Sequence, residues 1–185
     1  MKRRIKTVAV YCGHTFGASP AFVHDAGLLG ELIAKSGLDM VFGGSEAGLM
    51  GTVADAALCN GAHVIGISTE YVMAKQEPAH ECIDVKVVRG VNERKQKMFE
   101  LSDAFIIMPG GIGTLNEATD ILTMQQIGET NKPIFFLNTN RFWAPLHEII
   151  MDMRSNEFIE TLDDYNVIIC NTPHEIIDAV LNYKG

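Results

Sequence analysis

Short apolar runs alternate along the chain with longer stretches in which apolar positions recur every three or four residues. Runs of strand length cover Thr7–Tyr11, Met40–Phe42, His63–Ile67, Val85–Val88, Ala104–Met108, Pro133–Leu137 and Val167–Cys170. Most are apolar without alternation, the pattern of strands covered on both faces. Between the first two, Phe22, Ala26, Leu29 and Ile33 recur at helical spacing, with Ser19-Pro20 placed to start that helix and Gly37 to cap it. Further helices are expected over Gly48–Asn60, Glu93–Leu101, Thr114–Ile127, Phe142–Met153 and Pro173–Leu181. This alternation predicts an α/β fold: a single doubly wound, Rossmann-like domain over residues 1–185, with a mostly parallel sheet of about seven strands. No repeat, linker or low-complexity tract interrupts it.

Such sheets bind ligands outside the carboxyl ends of their strands, where the strand order reverses. Glycines gather in the loops expected there: Gly13 and Gly17 after the first strand, Gly43 and Gly44 after the second, and Gly110, Gly111 and Gly113 after the fifth. The sharpest segment runs from Met108 through Pro109-Gly110-Gly111-Ile112-Gly113 into Thr114-Leu115-Asn116-Glu117. A strand end passing through glycines into a helix has the form of a phosphate cradle, with backbone N–H groups and a helix dipole facing the anion. It is not the dinucleotide fingerprint, because Asn116 stands where the third glycine belongs, and the chain has no Gly-Lys pair for a P-loop. The loop from Gly43 to Gly51 would add N–H donors, and Gly13-His14-Thr15-Phe16-Gly17 would add hydroxyl and imidazole groups.

Two readings of Glu117 stand side by side. Thr114-Leu115-Asn116-Glu117 fits a capping box, in which the glutamate reaches back to its own helix start. Alternatively the carboxylate, in the first turn beside a phosphate cradle, faces the sugar of a bound nucleotide, with Asp120 on the same helical face raising its pKa. Arg94 likewise belongs either to a solvated charged face or to the cleft, where a guanidinium would fork onto a phosphate or a ribose and its base. His14 alone among the histidines falls at this edge; His24, His63, His80, His147 and His174 are read as surface or structural. No two histidines have metal-ligand spacing, so no metal is expected.

Charge narrows the ligand. The chain has 185 residues, 47% apolar and 21% charged, and a formal net charge of −8 that repels nucleic acid and acidic membranes. A phosphate-bearing ligand must then be small and held locally, by backbone N–H groups and a few cations such as Arg94 and Lys95. No apolar run approaches 18 residues, and Met1-Lys2-Arg3-Arg4 reads as a flank before a strand rather than a signal peptide. Cys12, Cys59, Cys82 and Cys170 show no C-x-x-C spacing, which points to a reducing cytoplasm and away from zinc.

The run Pro109-Gly110-Gly111-Ile112-Gly113-Thr114-Leu115-Asn116-Glu117 resembles the PGGxGTxxE motif of the LOG (Lonely Guy) family, cytokinin riboside 5′-monophosphate phosphoribohydrolases formerly labelled lysine decarboxylases. The resemblance extends to Val10-Tyr11-Cys12-Gly13, to Gly43-Gly44 with Gly48-Leu49-Met50-Gly51, to Val64-Ile65-Gly66-Ile67, to Glu93-Arg94-Lys95 and to the strand following Lys132. It implies hydrolysis of the N-glycosidic bond of a nucleoside 5′-monophosphate, AMP or an N6-modified AMP, to free base and ribose 5-phosphate, without a cofactor. It implies Arg94 and Glu117 as the catalytic pair, and Lys95, Gly110, Gly111, Gly113, Thr114 and Thr123 as nucleotide contacts, with Gly13, Gly43 and Gly44 in the supporting loops. It also implies a homodimer, for which Met124, Ile127 and Phe142 are candidate contacts. Three departures stand out: His14-Thr15 where the family commonly has two serines, Ser45-Glu46 after the glycine pair, and Asn116 where a second glutamate is frequent. The altered loops leave a nucleotide sensor without turnover as the alternative, and the older decarboxylase label would require a Schiff-base lysine, for which Lys95 and Lys97 are the near candidates.

Overall fold

A computed structural model describes residues 4–74, 82–159 and 165–184; His80 and the first three residues of the basic start lie outside them. The strands are β1 (Thr7–Tyr11), β2 (Asp39–Phe42), β3 (Val64–Thr69), β4 (Asp84–Val88), β5 (Ala104–Ile107), β6 (Ile134–Leu137) and β7 (Val167–Cys170). The helices are α1 (Pro20–Lys35), α2 (Gly48–Cys59), α3 (Glu70–Met73), α4 (Val91–Leu101), α5 (Ile112–Gln126), α6 (Ala144–Ser155) and α7 (Pro173–Asn182). All seven strands form one sheet in the order β4-β3-β2-β1-β5-β6-β7, and every pairing is parallel. The order runs outward in both directions from the β1–β5 neighbours, so the crevice above that pair is the topological switch point.

Side-chain alternation along the strands divides the core in two. Val8, Val10, Met40 and Phe42 face α1, α2 and α7, whereas Ala9, Tyr11, Val41, Phe105 and Ile107 face α4, α5 and α6. Each central strand is thus apolar on both faces, which is why these strands read as unbroken apolar runs. α1 begins as its sequence predicts, with the Ser19 hydroxyl accepting from the Ala21 N–H at 3.3 Å and Pro20 in the first turn. It ends in a Schellman closure, where Leu38 N–H bonds Ile33 C=O and Gly37 N–H bonds Ala34 C=O, with Gly37 left-handed at φ +67°.

Three local features depart from the sequence expectation. α4 and α5 each start two residues earlier than expected, because their caps are Gly90 and Gly111, which make no side-chain capping bond and leave no polar signal. α6 starts later, after a 3-10 turn at Thr139–Arg141 in which Asn140 and Arg141 adopt φ of 54° and 59°. The short α3, unforeseen, is capped by the Thr69 hydroxyl accepting from Val72 N–H.

Candidate active site

The loops at the switch point interlock through backbone contacts that only glycine permits. Gly13 N–H donates to Pro109 C=O at 3.1 Å, and Met50 N–H donates to Gly13 C=O at 3.2 Å. A Cβ on Gly48, whose φ is +62°, would lie 2.3 Å from the carbonyl carbon of His14, and one on Gly110 would lie 2.2 Å from the Thr114 hydroxyl. Thr114 is buried beneath Gly110 as the third residue of α5, not as its cap. The capping-box reading of Thr114 and Glu117 is therefore corrected: the helix already exists at Ile112, and the glutamate is engaged elsewhere. Gly111 and Gly113 stand in open space, facing outward at the helix start.

Glu117 meets Arg94 instead. Arg94 Nη1 donates to Glu117 Oε1 at 2.8 Å while its Nε donates to the C=O of Ile67, within β3, at 2.9 Å. The guanidinium lies against the second glycine loop, so that a Cβ on Gly43 would sit 2.0 Å from Nη2. Arg94 thus reaches from α4 over β3 and β2 to α5, spanning the crevice above β1. Burial pushes the Glu117 carboxyl up from its ordinary range. The charge and hydrogen bond of Arg94, and the charge of Lys95, pull it partly back, while Asp120 adds a smaller push upward. The upward shift expected from Asp120 is present, but desolvation is its main cause. Beneath the pair, Tyr11 and Cys12 at the end of β1 are held un-ionised, chiefly by burial and secondarily by the Glu117 charge.

A cleft of about 380 Å³ opens beside the pair. Its walls are two facing helical stripes, Asn92, Lys95, Gln96 and Phe99 on α4 and Glu117, Asp120, Ile121 and Met124 on α5, with Tyr11 also lining it. Lys95 Nζ is tied to Asp120 Oδ2 at 2.5 Å and Asn116 Oδ1 at 3.0 Å, on the second turn of α5 and beyond rather than at the glycine loop. Thr123 lines the outer cleft, but its hydroxyl donates to Thr119 C=O of its own helix. Asn92, Gln96, Phe99 and Ile121 join this lining without having been singled out in the sequence, although the i, i+3, i+4, i+7 spacing on each helix carries the signal; Tyr11, on β1, has no such signal.

A family model described as "possible lysine decarboxylase" matches residues 50–180. The chain is 39% identical over 176 residues to the cytokinin riboside 5′-monophosphate phosphoribohydrolase of Rhodococcoides fascians, covering 95% of this chain and 89% of that one. The chain belongs to the LOG family. It is 36% identical over 183 residues to the rice phosphoribohydrolase LOG, with 98% of this chain and 75% of that protein covered. Among solved structures, the molybdenum cofactor binding protein of Rippkaea orientalis is similar at TM-score 0.65 and 27% identity over 96% of both chains. The molybdenum cofactor carrier protein of Chlamydomonas reinhardtii, at TM-score 0.67 and 20% identity, shares the fold.

Of the residues that set the chain apart from the motif it resembles, His14, Thr15, Glu46 and Asn116 are exposed and Ser45 is buried. Glu46 is exposed, and Ser45 is buried with its hydroxyl accepting from Ala47 N–H at 3.2 Å. His14 is exposed at the loop junction, and His24, His63, His147 and His174 are exposed elsewhere. Asn116 holds Lys95. Lys97 pairs with Glu100 at 3.6 Å on the outer side of α4, away from the cleft lining. A second concavity, about 420 Å³ and strongly apolar, lies between α5, α6 and the β6–β7 edge, with Leu122, Trp143, Leu146, Ile150, Met153 and Phe158 among its walls. Of the expected dimer contacts, Ile127 is exposed, Met124 is half-buried, and Phe142 packs edge-on against Phe22 and Trp143 of its own chain. Among the described residues no helix is long and apolar enough to cross a membrane.

Proposed function

We propose that the protein is a phosphoribohydrolase that cleaves the N-glycosidic bond of AMP or an N6-modified AMP. The observation that carries this reading is the pairing of half-buried Arg94 with buried Glu117, 2.8 Å apart, at the switch-point crevice of a LOG-family chain. The backbone N–H groups of Gly111 and Gly113, at the start of α5, hold the 5′-phosphate, and the close-packed Gly13, Gly43, Gly44, Gly110 and Thr114 shape that cradle. Glu117 then faces the ribose. Its carboxylate stabilises the positive charge that develops as the bond to the base stretches, and takes the proton of the attacking water. The water oxygen joins the anomeric carbon, the glycosidic electron pair leaves with the base, and that proton completes the free base. Arg94 remains charged throughout, so it orients Glu117 and stabilises the departing base without acting as an acid. Lys95 and Thr123 line the path to the base.

In this reading residues 1–185 act as one domain, supported by the single seven-stranded sheet. The enzyme works in the cytoplasm, where the buried thiols of Cys12 and Cys170 stay reduced. It is a homodimer whose interface covers the apolar concavity between α5 and α6, together with exposed Ile127.

Incubation with AMP and with isopentenyl-AMP, followed by chromatography of the products, tests the activity. Base and ribose 5-phosphate are expected, with release falling on the order of a hundredfold or more in Glu117→Ala and Arg94→Ala. Tight nucleotide binding with no release would favour a carrier instead, a reading supported by the likeness to the Rippkaea orientalis cofactor-binding protein.

A further inference from the structure

Consecutive residues of α4, Arg94 and Lys95, each find a partner on α5, and the two pairs differ in depth. The inner pair, Arg94–Glu117, has side chains 14% and 8% exposed; the outer pair, Lys95–Asp120, has side chains 20% and 42% exposed. Lys95 Nζ is held from two sides, by Asp120 Oδ2 at 2.5 Å and Asn116 Oδ1 at 3.0 Å. Asn116 and Asp120 flank Glu117 on α5, and Lys95, Glu117 and Asp120 all line one cleft. The ammonium is therefore parked beside a carboxylate to which it makes no bond, since Glu117 takes its hydrogen bond from Arg94. An ammonium on a flexible four-carbon stem, released from its partner, turns to the nearest carboxylate, and the next one along this face is Glu117.

We propose that Asp120 is a positioning residue for the reaction: with Asn116 it anchors Lys95 at the cleft rim and keeps that cation off Glu117, leaving the carboxylate to Arg94 and the substrate. This rests on the reading of Glu117 as the reacting carboxylate. The groups acting on Glu117 are Arg94 and Lys95 from α4 and Asp120 from its own helix; Tyr11 on β1 and Cys12 just after it feel the Glu117 charge in turn and stay un-ionised, and Glu129 also lines the cleft. Lys95 favours the ionised form of Glu117 and Asp120 opposes it, so the pair presents Glu117 with two offsetting fields. Removing either partner alone unbalances them, in opposite senses.

The test is the pH profile of kcat/KM in the full-length protein, Asp120→Asn, Lys95→Met and the double variant. Turnover requires ionised Glu117, so the acidic limb reports its protonation. In Asp120→Asn the limb moves to lower pH, and the ratio of kcat/KM at pH 5 to that at pH 7 rises about threefold. In Lys95→Met the limb moves to higher pH and that ratio falls about threefold, while the double variant returns close to the parent. Limbs that coincide with the parent's, or that move in the same direction in both single variants, overturn the proposal. So does a loss of activity equal at every pH, the signature of a brace that only packs α4 on α5. Glu117→Gln separates the two levels: if it stays active, the reading of Glu117 fails and this inference with it; if it is inactive while the limbs do not move, this inference alone fails.

Discussion

The two faces of the sheet use their helices differently. On one face, α1, α2 and α7 bury Leu29, Ile33, Leu49, Val53, Ile176 and Val180 in a continuous core, and α1 and α2 approach so closely that a Cβ on Gly30 would lie 2.3 Å from the Val53 carbonyl oxygen. On the other, α4 buries only Met98 and α6 buries none of its residues, although α5 between them is well packed. The first face is closed and serves stability. Among the described residues the second is open at two places, a polar cleft between α4 and α5 and an apolar concavity between α5 and α6. α5 borders both openings, so the proposed chemistry and the proposed association share one helix, anchored by Ala118, Ile121 and Leu122.

The comparison is broken most directly by truncating the closed face. Leu29→Ala should cost about 3 kcal/mol, read from the denaturant midpoint, with no change in the pH profile of activity. Gly43→Ala acts on the open face: the added methyl displaces the Arg94 guanidinium, and kcat/KM should fall about tenfold or more while the melting temperature moves little. For the parent protein, the burial that raises the Glu117 pKa means that the carboxylate takes up its proton at a higher pH than a solvated glutamate. Activity should therefore decline, as pH falls, before an ordinary carboxylate would titrate, and a steady-state pH profile measures this. Smallest is Ile149→Ser on exposed α6, which should change monomer stability by less than about 0.5 kcal/mol yet reduce the dimer fraction in sedimentation. Equal destabilisation by Leu29→Ala and Ile149→Ser would erase the distinction between the faces.

Much of the fold is legible because burial on both faces writes itself as apolar runs: β1 and β7 match residue for residue, and the other strands differ at their ends. Helix starts were legible where a polar cap marks them, as at Ser19, and displaced where glycine serves, as at Gly90 and Gly111. The same Thr-x-x-Glu spelling occurs at Thr172–Glu175, where the threonine does cap its helix through the Glu175 N–H, and at Thr114–Glu117, where it does not. Local spelling cannot separate these cases, because Arg94, 23 residues away, claims the second glutamate. Likewise the composition of the glycine loops was readable, but the laying of Arg94 on Gly43, and of Lys95 on Asp120, depends on how α4 and α5 pack across β5.

The tethers of Arg94 are also short when measured along the chain. The two hydrogen-bond partners of its side chain, Ile67 and Glu117, lie 27 and 23 residues away, whereas the stitch between Lys6 and Asp103 closes 97. Closing 23 residues costs about 1 kcal/mol less chain entropy than closing 97, so the contact between α4 and α5 is the less costly of the two to hold. The Arg94–Glu117 pair is in this sense a contact local in the chain, and the glycine loops after β1 and β2 reach it from farther away.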